Sequence, residues 1–118
     1  MKKNLSPEEI LRTEYSEEFD NLRKKMMVTS YYKYGPVKEN AYSGMEDFIK
    51  TLDIRYKKFL ETKNTEFLAD VANICMMIFM YPEPFGCHYK PTDSSESPGI
   101  DGISVRQLEE EMGGYNLC

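Results

Sequence analysis

One histidine, His88, and three cysteines, Cys75, Cys87 and Cys118, are all that this 118-residue chain has of the side chains that most often hold metals or carry redox chemistry. A histidine-rich metal site is therefore impossible and a Cys/His catalytic pair has little to draw on. The cysteines have no metal-ligand spacing, and their odd number fits free thiols better than a disulfide framework. Basic residues are also in deficit: 15 Lys and Arg face 20 Asp and Glu, for a net charge of −5. A general nucleic-acid binder needs a clear basic surface, so direct binding of that kind is not expected. No apolar run approaches the roughly 18 residues needed to span a bilayer. The N-terminus Met-Lys-Lys-Asn-Leu-Ser-Pro-Glu-Glu lacks the apolar core of a signal peptide, so a cytosolic protein without membrane association is expected.

What is present is helical patterning. Length and composition suit one domain with a single core. Ser6, Pro7 and Glu9 form a capping-box start signal, and Leu11, Tyr15, Phe19, Leu22 and Met26 recur at helical spacing, predicting a helix over 6–27. Acidic residues gather early in it and basic ones late, as the helix macrodipole favours. Residues 29–42 read as an ordered loop punctuated by Gly35-Pro36. Its Tyr31, Tyr32 and Tyr34 either pack that loop onto the helices or, with Lys33, stack on a planar ligand.

A second helix is expected over 44–62. Met45, Phe48, Ile49, Leu52, Tyr56, Phe59 and Leu60 form its apolar stripe, and Glu46, Lys50, Asp53 and Lys57 a solvated one. Arg55 and Asp47 lie at the boundary of the two. A short turn leads to a third helix over 65–80, which Pro82 stops, so the two form an antiparallel hairpin. The third helix is apolar on nearly every side and is expected to be buried, Cys75 included. The exception is Glu66, Asp70 and Asn73, which share one face at i, i+4, i+7 spacing. Polar groups inside a core helix need partners. This line either forms a binding site or ties the helix to neighbouring backbone or to Arg55. A long loop over 81–102, with the polar run Thr92 to Gly99, precedes a short amphipathic helix over 104–112. The expected fold is an all-α, small helical bundle in one domain, 1–118, around the central hairpin.

Two resemblances extend this reading. Ser30-Tyr-Tyr-Lys-Tyr-Gly-Pro36, Asn64 to Asn73 with Phe79-Met-Tyr-Pro82, and Thr92 to Gly99 resemble a group of small proteins from phages and integrated mobile elements of Gram-positive bacteria. That group is functionally uncharacterised; the function expected for this chain is that of a non-catalytic accessory protein of a mobile element in the bacterial host cytosol, binding a host (defence) protein or a nucleotide signal. More distantly, Leu68-Ala-Asp-Val-Ala-Asn73 on an apolar helix after a short turn is similar to the MazG-type all-α nucleotide pyrophosphohydrolases. Their pattern is Glu-Glu-x-x-Glu on one helix and Glu-x-x-Asp on the next. Asp70 matches the aspartate, Phe67 stands where the glutamate belongs, and Glu66 is one residue away. This likeness implies a homo-oligomer with magnesium at Asp47, Glu66 and Asp70, joined by Glu46, and nucleotide contacts from Asn73, Arg55 and Lys33. The candidate ligand-binding residues are thus Glu66, Asp70, Asn73, Arg55, Tyr32, Lys33 and Tyr34. No catalytic residue is assigned, and magnesium is the one cofactor implied.

Overall fold

The computed structural model describes residues 4–93. By its internal contacts the chain divides into a unit Met1–His88 and a second, Tyr89–Cys118, of which Tyr89–Asp93 are described. The first unit is an all-α bundle of five helices: α1 (Pro7–Glu14), α2 (Glu17–Tyr34), α3 (Val37–Ser43), α4 (Phe48–Thr62) and α5 (Glu66–Met80). A short 3-10 turn at Glu83–Phe85 follows. The expected short helix at 104–112 and most of the polar run at 92–99 lie outside the described residues.

Local side-chain chemistry marks each boundary. The Ser6 hydroxyl accepts from the Glu9 backbone N–H at 3.2 Å while the Glu9 carboxylate accepts from the Ser6 N–H at 2.9 Å. The single helix expected over 6–27 is in fact two. Ser16 is a second N-cap, accepting from Phe19 N–H at 3.0 Å, with Glu17, Glu18 and Asp20 in the first turn that follows. Tyr15, extended at φ −148°, closes α1. The cap competes with helix propagation for the same backbone and wins.

Most of the segment read as a loop is also helical. α2 runs on to Tyr34 because nothing before Gly35 interrupts it. Gly35 ends it at φ 83° with its N–H on the Tyr31 carbonyl at 2.8 Å, and Pro36 then opens α3. α4 starts later than position 44, since Asp47 caps it by accepting from Lys50 N–H at 3.0 Å. Lys63 turns the chain at φ 62°, and Asn64 accepts from Glu66 N–H at 3.0 Å to start α5.

α4 and α5 are the most closely packed pair, forming the expected hairpin, and α2 lies against α5. Ala69, fully buried, lets α5 approach its neighbours closely. The core gathers Ala41, Phe48 and Ile74, with Val37, Leu52, Met77, Ile78, Tyr81 and Phe85 packed around them. The 3-10 turn brings Phe85 to stack on Phe48 with ring centroids 5.0 Å apart. α5 is not buried all round: Cys75, Phe79 and Met80 are exposed, while Ala69, Asn73 and Ile74 carry its buried side. No helix among the described residues is long and apolar enough to cross a membrane.

Candidate functional site

The side chains that converge do so in a cleft of about 570 Å³ between α2, the start of α3, α4 and α5. Its floor is apolar, with Phe48 and Ile74 from the core and Met26, Met27 and Met77 beside them. Lys25, Tyr31, Lys33 and Tyr34 come from α2, Glu46 from the turn before α4, Arg55 from α4, and Glu66 and Asp70 from α5. Three cations and three carboxylates thus share one depression with two tyrosines.

Asp70 is the most perturbed of these. Its side chain is 31% exposed, and Arg55 Nε lies 4.0 Å from Oδ2, at the edge of ion-pair distance. Burial pushes the Asp70 carboxyl above its ordinary value; Arg55 works against that rise and Glu66 adds to it. The charged form is thus under-solvated and only loosely compensated, which leaves it able to accept a donor from a bound molecule.

Asn73 lines the same cleft but its amide is fully engaged. Arg23 Nη1 donates to Asn73 Oδ1 at 3.2 Å, and Asn73 Nδ2 donates to the Arg23 carbonyl at 3.1 Å. Arg23 is in turn held by Asp20 at 2.7 Å. The Asp20 carboxylate is kept below its usual range by the hydrogen bond donated by the Tyr15 hydroxyl and then by Arg23. Asn73 therefore ties α5 to α2, the structural option for this line. No buried side-chain nitrogen or oxygen among the described residues lacks a partner.

Of the other residues singled out in the sequence, Glu66, Arg55, Lys33 and Tyr34 reach the cleft and Tyr32 does not line it. Tyr32 is 83% exposed and meets Tyr31 edge to face, so of the two alternatives for these tyrosines the packing of a loop onto the helices does not occur. They stand on a helix, where successive residues point in different directions. Asp47 is spent as the α4 cap. Arg23 and Lys25 were not foreseen. A polar residue 50 positions from its partner leaves no local trace, and Lys25 looks like any other cation on a wet face. Of the residues that the MazG likeness would give to magnesium, Glu46, Glu66 and Asp70 line the cleft and Asp47 caps α4, and no group of three His, Cys, Asp or Glu gathers among the described residues. Comparison with known protein families, with curated proteins and with solved structures finds no match.

Proposed function

We propose that this chain is an accessory binding protein whose cleft takes a small nucleotide-like ligand. The observation that carries this reading is the convergence, over an apolar floor, of Tyr31, Tyr34 and Lys33 with Arg55, Glu66 and Asp70. Aromatic faces suit a base, cations suit a phosphate, and carboxylates suit the exocyclic amines and hydroxyls of a nucleoside. A cleft of about 570 Å³ lies in the range of small-molecule sites. A cytosolic accessory role in a phage or mobile element, with a nucleotide signal as the substance bound, is the setting in which this cleft would act.

The test is calorimetric titration with nucleoside mono-, di- and triphosphates and cyclic nucleotides, with and without magnesium, alongside an assay for released pyrophosphate. We expect saturable binding without turnover, weakened about tenfold or more in Arg55→Ala, which removes a charge-assisted contact. Absence of binding across the panel sinks the proposal. Pyrophosphate release abolished by Asp70→Ala would replace it with the hydrolase reading that the MazG likeness suggests.

A further inference from the structure

The charged side chains that line the cleft balance: Lys25, Lys33 and Arg55 against Glu46, Glu66 and Asp70. They are also largely uncommitted. The amines of Lys25 and Lys33 and the carboxylates of Glu46 and Glu66 enter no ion pair or side-chain hydrogen bond among the described residues. Arg55 meets Asp70 only at 4.0 Å. Elsewhere opposite charges do close on each other, Asp20 on Arg23 at 2.7 Å and Asp53 on Lys57 at 2.9 Å. The cleft thus keeps both signs of charge available to a bound molecule, with no excess of either.

We infer that this cleft selects a nucleotide of one net negative charge, a phosphodiester such as a nucleoside cyclic monophosphate, over nucleoside di- and triphosphates. Such selection rests on the nucleotide reading of the cleft and narrows it to a class. A phosphodiester carries one charge, a phosphomonoester close to two at neutral pH, and a longer phosphate chain more. One anion can lie against a cleft cation while the carboxylates accept hydrogen bonds from base amines and ribose hydroxyls. Further phosphates bring their charge within a Debye length, about 8 Å at physiological salt, of carboxylates as well as cations. In a balanced cleft the net attraction does not grow with ligand charge, and like charges brought together are penalised. Arg55 shows the conflict most directly. An anion on its guanidinium also neighbours the Asp70 carboxylate, and Glu66 stands one turn before Asp70 on the same face of α5.

Calorimetric titration of the full chain at low salt tests this, first with a chelator and then with magnesium. The probes are the cyclic monophosphate, monophosphate and triphosphate of adenosine, guanosine, cytidine and uridine. For the nucleoside that binds, we expect cyclic monophosphate above monophosphate above triphosphate, with about tenfold or more between the extremes. Glu66→Gln with Asp70→Asn removes two negative charges and keeps an acceptor oxygen at each position. This variant, checked for native helicity by circular dichroism, should narrow or reverse the order by about tenfold. The wild-type order tests the selection without any variant. Triphosphate above cyclic monophosphate in the wild type, with or without magnesium, overturns the selection and leaves nucleotide binding in place. An order that the helical variant does not move overturns it in the same way. No binding anywhere in the panel overturns the selection and the nucleotide reading together.

Discussion

Asn73 and Asp70 sit one turn apart on α5 and do different things. The Asn73 amide, 5% exposed, closes two hydrogen bonds to Arg23, so its loss cuts the tie between α5 and α2 and takes one partner each from the part-buried Arg23 guanidinium and its backbone carbonyl. We expect Asn73→Ala to lower unfolding free energy by about 2 kcal/mol in urea titration, the cost of orphaning a buried partner. Asp70 works in the opposite sense. Burial raises its folded pKa above the unfolded value, so the charged form costs stability at neutral pH. That cost fades as pH falls through the raised folded pKa and is gone below the unfolded one. Arg55, Glu66, Glu46, Lys25 and Lys33 face the same cleft and tune the size of the effect. Asp70→Asn should therefore unfold at the same urea concentration as wild type, or a higher one, near neutrality. The gap should narrow on acidification, as paired titrations at several pH values would show. A gap that widens in acid would contradict the assignment. Neither role was legible residue by residue. The i, i+4, i+7 spacing placed both side chains on one face, but Arg23, on another helix, decides which of them is free.

At the scale of elements, four helix starts are marked by a side chain that accepts from the first turn, while α3 opens on Pro36 without one. Ser6, Ser16, Asp47 and Asn64 each accept from a backbone N–H that the helix itself cannot satisfy. Ser16→Ala should destabilise the fold by about 1 kcal/mol and lower the helical ellipticity. Lys63 is the one described non-glycine residue at positive φ. It holds the αL position between α4 and α5, where a Cβ is strained. Lys63→Gly should raise the melting temperature, with a gain of about 0.5–1 kcal/mol, because relief of that strain exceeds the entropy that glycine adds to the unfolded chain. Ser6 and Asn64 could be recognised in the sequence because capping acts over two or three residues, whereas Asp47 is masked by an apolar stripe that already begins at Met45. Ser16 was passed over because Leu11, Tyr15 and Phe19 keep helical spacing across the break. An apolar period reports which side chains share a face; it is blind to a single extended residue between two helices.

At the scale of the molecule, the core among the described residues is small, and Phe48 is its largest buried side chain, 3% exposed and stacked on Phe85, joining the start of α4 to the turn after α5. Phe48→Ala should cost about 3–5 kcal/mol. That is a large share of the roughly 5–15 kcal/mol typical of a domain, so this variant should melt far earlier or fail to fold. Calorimetry would show which.

The chain by itself determined its helical class, the α4–α5 hairpin and the caps at Ser6 and Asn64. Those depend on neighbours within a turn or two, where spacing and side-chain type are sufficient causes. Tertiary structure alone decided that Tyr31 and Tyr34 reach a cleft while Tyr32 points to water, that Arg23 consumes Asn73, and that α5 leaves Cys75 and Phe79 exposed. Each of these turns on which helix packs against which. Burial and pairing are properties of contacts between residues far apart in the chain, and no local period encodes them.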